Sequence, residues 1–324
     1  MSDLEKIKAP IKQELKKFND YFKSSVKSTV PLLNIITNYI LRQKGKQMRP
    51  MFVFLSAKML GEINDSSYTA ASLIELLHTA TLIHDDVVDE SYERRGFFSI
   101  NALWKSKVAV LVGDYFLSKG LLLALKNKEF EILQIVSIAV KEISEGELFQ
   151  IQKSRKLNIN EEEYFEIIRK KTATLISACT ATGAKSVNCD DHTLQQMKKF
   201  GEYTGIAFQI RDDLFDYQNN GLVGKPMGND IKEKKLTLPL IYSLDKASGS
   251  EKRKILRLIS KHGKKSDKLT EIIQFVNDHG GIEYSVSKMN YYKKLALESI
   301  VDLPQSEAKR SIIDLVNYSI NRKK

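Results

Sequence analysis

Two short acidic runs are where this sequence first offers chemistry: Asp85-Asp86-Val87-Val88-Asp89 and Asp212-Asp213-Leu214-Phe215-Asp216 carry the same pattern of carboxylates. On a helix, residues four apart share one face about 6 Å apart, so Asp85 and Asp89 aim at a common point, as do Asp212 and Asp216. Asp86 and Asp213 each add a ligand beside their pair. Both runs end apolar stretches (71–83 and 205–210), where three negative charges repel one another and oppose the helix dipole. A cation must offset them. A donor set of oxygens with neither His nor Cys selects a hard ion, and magnesium is the usual one where a few carboxylates bridge to a phosphate. One such run is a weak signal, because acidic residues crowd exposed helix ends by chance. Two runs, with Arg94 and Arg95 after the first and Lys225 and Lys235 after the second, point to a metal-bridged diphosphate held between two helices.

The elements that must position these residues read as helices. Only six prolines and 16 glycines interrupt the chain, and long stretches of Leu, Ile, Lys, Glu and Ala favour helix. Helical periodicity is plain in Leu32, Ile35, Ile36, Tyr39 and Ile40, and the pattern predicts roughly a dozen helices joined by short loops. No repeat of solenoid length occurs, and no Pro- or Ser-rich linker separates the acidic runs, so they are expected on facing helices of one domain, residues 1–324. The least helical stretch, Asn219 to Asp230, concentrates glycine, asparagine and proline and is expected to be a lid over the site. The basic segment from Ser248 to Lys268 reads as a solvated surface.

At 324 residues and 42% hydrophobic content the chain can bury a sizeable core. Two cysteines, Cys179 and Cys189, are too few for a disulfide framework and suit a reducing cytoplasm. The charged start Met1-Ser2-Asp3-Leu4-Glu5-Lys6 lacks a signal-peptide core, and the apolar run 107–125 is broken by Asp114 and Lys119, so a soluble, cytoplasmic protein with no transmembrane segment is expected. A net charge of +11 draws anions: nucleic acid, lipid headgroups or small phosphorylated substrates. Nucleic acid is disfavoured, since no basic motif with interleaved aromatics is present and the acidic runs would repel phosphates without metal.

Further motifs bear on the same chemistry. Gly45-Lys46-Gln47-Met48-Arg49-Pro50, then His78 within Glu75-Leu76-Leu77-His78-Thr79-Ala80, precede the first run, which continues to Arg94-Arg95-Gly96. Gly113-Asp114, Lys171-Thr172-Ala173, Gln209 and Gly224-Lys225-Pro226-Met227-Gly228-Asn229-Asp230 follow in order. With these motifs the chain resembles the trans-polyprenyl diphosphate synthases over residues 40 to 300, most closely the long-chain members. One departure is Lys234 before Lys235, where that family usually has glycine.

The resemblance implies an all-α fold, a large single-domain helical bundle of the isoprenoid synthase type with a central active-site cavity. It implies a prenyltransferase that lengthens an allylic diphosphate by head-to-tail addition of isopentenyl diphosphate, releasing diphosphate. Asp85, Asp86, Asp89, Asp212, Asp213 and Asp216 would hold Mg2+, three ions with bound diphosphate. Arg94, Lys171, Lys225 and Lys235 would complete the clamp, and Thr172 and Gln209 would turn dipoles on the allylic cation. Lys46, Arg49, His78 and Arg95 would form a metal-free pocket for isopentenyl diphosphate. The tail would run along the helix below Asp85, where Ala80 and Thr81 are too small to stop it and Leu77 and Ile74 line the next turns. A product of roughly six to eight isoprene units, of the quinone side-chain type, follows if one unit matches a turn of about 5.4 Å. A homodimer through apolar helices around 108–125, with transient membrane-surface contact for product release, completes the expectation. The competing readings are a short-chain geranylgeranyl or farnesyl diphosphate synthase and a non-catalytic subunit of a heteromeric synthase. A terpene cyclase fits less well, because its second metal motif carries Asn, Ser or Thr, and Glu.

Overall fold

The computed structural model describes residues 3–43, 45–94, 96–217, 228–262 and 266–321. Its helices are α1 (Asp3–Lys8), α2 (Lys12–Ser25), α3 (Pro31–Arg42), α4 (Met48–Leu60), α5 (Asp65–Val88), α6 (Ile100–Lys126), α7 (Phe130–Lys156), α8 (Glu161–Ile168), α9 (Thr174–Lys185), α10 (Asp191–Phe215), α11 (Asn229–Lys232), α12 (Leu238–Lys246), α13 (Gly249–His262), α14 (Ser266–Asp278), α15 (Gly281–Ser299) and α16 (Glu307–Asn321). The only strands among the described residues are β1 (Glu93–Arg94) and β2 (Phe97–Phe98), a two-stranded antiparallel ribbon. The all-α expectation is met. The chain divides into two compact units, with boundaries inside α7, α9, α10 and α16.

Unit 1 (residues 1–140, 178–198 and 302–315) is built on α5 and α6. Helix α5 starts on a reciprocal cap, in which the Asn64 side chain accepts from the N–H groups of Ser66 and Ser67 while the Asn64 N–H donates to Ser67 Oγ. Its face Leu76, Ala80 and Ile83 packs on Ala109, Val112 and Phe116 of α6, with Val26 and Ile36 closing the cluster. Each fully buried Phe or Ile there contributes about 1.5–3 kcal/mol. The close approach of α6 requires Gly113, where a Cβ would lie 2.2 Å from His84 Nε2.

Unit 2 (141–177, 199–301 and 316–324) packs α12 against α8, α14 and α15. Gly281 permits that contact, since a Cβ there would sit 2.2 Å from the Pro239 carbonyl oxygen. Between α8 and α9 the helix widens into a π-turn, Arg169–Ala173, a local geometry concentrated at functional sites.

Helix α6 carries Asp114 and Lys119 inside an otherwise apolar stretch. By length and apolarity alone it could cross a membrane, with a mean hydropathy of 1.8 and only 33% of that window buried. Asp114 and Lys119 do not interrupt the helix, and it packs against α5 while leaving Leu103, Val110, Leu111, Leu121, Leu122 and Leu125 exposed.

Candidate active site

In unit 1 the first acidic run occupies the last turn of α5. Asp85 and Asp86 lie inside the helix, and Asp89 is its C-cap, with its N–H donating to the Asp85 carbonyl at 2.8 Å, so the four-residue spacing holds to the helix end. Asp86 is buried at 4% exposure, Asp85 is half-buried and Asp89 is exposed. The chain then stops the helix with Glu90 in the left-handed conformation (φ +49°), the Glu90 N–H donating to Val87 O and the Ser91 N–H to Asp86 O.

Two turns below Asp85, the Arg49 guanidinium of α4 donates to His78 Nε2 and to Glu75 Oε1, the latter at 3.5 Å. Because a guanidinium only donates, His78 accepts through Nε2 and its proton sits on Nδ1. The structure therefore brings Arg49 and His78 together and adds Glu75, which sequence reading left as part of a motif. Lys46 is exposed in the loop leading into α4. Ala80 is buried in the α5–α6 cluster, and Thr81 is half-buried, its hydroxyl donating to the His78 carbonyl. The Arg94 side chain, Arg95 and Lys225 lie outside the described residues, as does 219–227 of the expected lid.

In unit 2 a cavity of about 120 Å3 is lined by Gln150, Tyr164, Lys171, Thr172, Gln209, Asp213, Asp230 and Lys235, with Ile167 and Ile168 on its apolar side. The π-turn aims Lys171 and Thr172 into it. Close packing holds that turn from two sides: a Cβ at Gly146 of α7 would meet Lys170 Cβ at 2.8 Å, and one at Gly205 of α10 would meet Ala173 Cα at 2.4 Å. Lys171 pairs with Glu147 at 2.5 Å and donates to Gln150 at 2.7 Å. Thr172 Oγ1 donates to Gln209 Oε1 at 2.7 Å, Gln209 Nε2 donates to Asp213 Oδ1 at 2.7 Å, and the Tyr164 hydroxyl donates to Asp213 Oδ2 at 2.6 Å. Burial, then the Asp230 charge, push the Asp213 carboxyl above the usual carboxylate range, while the two donors pull it back. Burial and the Asp213 charge push the Tyr164 phenol well above its ordinary value.

The second acidic run closes helix α10, which ends at Phe215, and Asp216 follows it with its N–H donating to the Asp213 carbonyl at 3.1 Å. Its two oxygens accept from the N–H groups of Asn229 (2.9 Å) and Asp230 (3.0 Å), which holds the N-terminus of the short helix α11. Asp230 is thereby delivered to the cavity wall. Lys235 pairs with Glu233 at 2.6 Å, and its N–H donates to the Asp230 carbonyl. Lys234 adopts φ +61°, the conformation that explains why glycine is usual there.

Sequence reading gave no role to Tyr164, Glu147, Gln150 or Asp230. The available signal was Glu147 and Gln150, two polar residues one helical turn apart and next to Gly146. Among the described residues no three His, Cys, Asp or Glu side chains converge on a ready-made metal site. The donor set still fits magnesium, which takes one or two carboxylates and completes its shell with phosphate oxygens and water.

Comparison with known proteins converges on one family. The chain is 31% identical to an octaprenyl diphosphate synthase of Haemophilus influenzae, over 99% of this chain and 97% of that one. The structure is similar to that of a decaprenyl diphosphate synthase from Rhodobacter capsulatus, with a TM-score of 0.93 at 31% identity over 98% of each chain. It is also similar to a polyprenyl synthase from Caulobacter crescentus complexed with calcium and isoprenyl diphosphate, with a TM-score of 0.90 at 27% identity over 99% of this chain and 98% of that one. Residues 30–276 match the family described as polyprenyl synthetase, and with full-length relatives at this identity the chain belongs to the polyprenyl synthetase family.

Proposed function

We propose that this protein is a magnesium-dependent trans-prenyltransferase that adds isopentenyl diphosphate units to an allylic diphosphate and makes a long-chain polyprenyl diphosphate. The observation that carries the reading is the pair of complete aspartate runs on a chain that matches long-chain synthases end to end.

Of the six aspartates expected on magnesium, Asp85, Asp89 and Asp212 would hold it in this reading, because Asp86 is buried and both oxygens of Asp213 and of Asp216 already accept hydrogen bonds. Bound magnesium would supply the positive charge that offsets the leaving diphosphate. Lys171 exchanges Glu147 for a phosphate oxygen, and Lys235 does the same with Glu233, so each lysine stays paired before and after substrate arrives. Arg94 and Lys225 extend the clamp. Thr172 and Gln209 present oxygen dipoles to the allylic cation, and the apolar side of the cavity keeps water from quenching it. Arg49, with its forked donors, and His78 bind isopentenyl diphosphate together with Lys46 and Arg95. The isopentenyl double bond attacks the cation, and the released diphosphate takes the proton that leaves.

Ala80 and Thr81 leave room for the tail, a reading that favours a long-chain over a farnesyl-length product. The exposed apolar side chains of α6 support a homodimer, and a single-chain mass in sedimentation at micromolar concentration would oppose it. Two free thiols support a cytoplasmic location, which cell fractionation checks.

The test is incubation of the purified protein with radiolabelled isopentenyl diphosphate, farnesyl diphosphate and magnesium, with dephosphorylated products resolved by length. A ladder ending at about six or more isoprene units supports the reading, and Ala80→Phe shortens it. A single geranylgeranyl product keeps the enzyme and removes the long-chain claim. No magnesium-dependent incorporation leaves the non-catalytic subunit.

A further inference from the structure

The cavity in unit 2 holds a buried tyrosine that the reaction as described does not use. Tyr164 is 3% exposed and Asp213 is 4% exposed, and the hydrogen bond between them is 2.6 Å long. Each oxygen of Asp213 is matched to one donor: Oδ2 to Tyr164 and Oδ1 to Gln209 Nε2. A carboxylate accepts and does not donate, so this match decides which end of the Gln209 amide faces it. The NH2 end turns to Asp213, and the oxygen end turns to Thr172, whose hydroxyl donates to it at 2.7 Å. Without the Tyr164 bond, Asp213 Oδ2 loses its donor, and the carboxylate that fixes the sense of the Gln209 amide is held from one side only.

We propose that Tyr164 is a positioning residue for prenyl transfer: through Asp213 it locks the Gln209 amide with its oxygen toward Thr172, so that oxygen dipoles, never the amide N–H groups, face the developing allylic cation. This rests on the prenyltransferase reading above. A reversed amide would put partial positive charge beside a carbocation, and a preorganised dipole of the correct sense lowers the barrier only if it does not have to reorient during the reaction.

The test is a double-mutant cycle in the full-length protein. Tyr164→Phe removes one hydroxyl from a buried ring, and its kcat is expected to fall about tenfold while KM for both substrates and the magnesium half-saturation stay within about twofold. In a Gln209→Ala background the same change is expected to cost less than about twofold, because the group it positions is gone. An equal loss in both backgrounds, or no loss in the parent, overturns the proposal.

Asp213→Asn keeps the answer open to refutation if Tyr164→Phe does not fold. Its single side-chain oxygen goes to Tyr164, its NH2 then faces Gln209, and the Gln209 amide must reverse. The expected result is the same fall in kcat at unchanged magnesium half-saturation. An unchanged kcat overturns the proposal, and so does a rise in magnesium half-saturation above about fivefold, which would make Asp213 a ligand. Failure of the parent protein to incorporate isopentenyl diphosphate would instead strike the underlying reading.

Discussion

Two hydrogen-bonded chains, one in each unit, are assigned to substrate by the proposed function, and they are made of different material. In unit 1, Arg49 links His78 and Glu75 through charged or switchable groups, and the Arg49 and Glu75 side chains are each 22% exposed. In unit 2, Thr172, Gln209, Asp213 and Tyr164 form a chain of neutral donors ending on one buried carboxylate. Under the proposed function the difference follows from what each would meet. An anion arriving from water is met by charges that can exchange one partner for another, and half-exposed ion pairs exchange easily because they are worth little. A cation that exists only during the reaction must be met by dipoles already in place, which demands burial and a fixed backbone.

The sharpest way to break this comparison is to crowd both units equally. A Cβ at Gly183 would lie 2.3 Å from the Val53 carbonyl oxygen of α4, the helix that carries Arg49, and one at Gly205 would lie 2.4 Å from Ala173 Cα in the π-turn. Gly183→Ala and Gly205→Ala are both expected to lose about 2–3 kcal/mol in urea unfolding, because backbone must move in each. Only Gly205→Ala should also lower kcat of the folded protein, by about tenfold, since it shifts Thr172. Equal kcat values in the two variants would mean that the unit 2 chain is not fixed by its backbone.

A second prediction tests the switchable side. Arg49→Lys keeps the charge and loses the fork that reaches His78 and Glu75 together. KM for isopentenyl diphosphate should rise about tenfold with kcat changed less than about threefold, which steady-state kinetics with the allylic substrate held saturating would measure. A fall confined to kcat would place Arg49 with the fixed dipoles instead.

The sequence made part of this contrast legible. The aspartate runs could be picked out from their residue types and spacing, whereas Lys171-Thr172, Gln209 and the glycine usual at position 234 came only with the resemblance to a known family. Tyr164 could not, because a tyrosine on an amphipathic helix reads as core. The π-turn was hidden because residue preferences do not separate it from α-helix. The partners of Asp216 were hidden too: it accepts from the N–H groups of residues 229 and 230, a non-local pairing that no local pattern encodes.

The fixed side also carries a charge at a cost, which sharpens the contrast by its pH dependence. Glu202 of α10 lies near Arg169, Glu166 and Glu142, and burial, only partly offset by Arg169, raises its carboxyl above the usual range. With the folded value above the unfolded one, the folded chain binds the extra proton, so this group's contribution falls as pH rises from about 4 through the raised value. Glu202→Gln removes that cost. The variant should be more stable than the parent at pH 7 by less than about 1 kcal/mol, the carboxyl still being partly solvated, and the gap should close near pH 4 in urea unfolding. A variant less stable at pH 7 would show that Glu202 is needed as a partner for Arg169.

The smallest expected effect concerns a turn that both units share. After each aspartate run a helix is stopped by a residue in the left-handed conformation, Glu90 at φ +49° in unit 1 and Lys234 at φ +61° in unit 2, with matching bonds from Ser91 N–H to Asp86 O and from Lys235 N–H to Asp230 O. A side chain there costs about 1–2 kcal/mol, and glycine returns most of that to the unfolded chain as entropy, so Lys234→Gly and Glu90→Gly should each gain about 0.5 kcal/mol in urea unfolding. Prenyl transfer by Lys234→Gly should stay within about twofold of the parent, because the Lys235 N–H keeps its bond and the ammonium its Glu233 partner. If Glu90→Gly gains stability and Lys234→Gly loses both stability and activity, the Lys234 side chain has a task of its own, and the fixed side of the site extends one residue further than its hydrogen bonds mark.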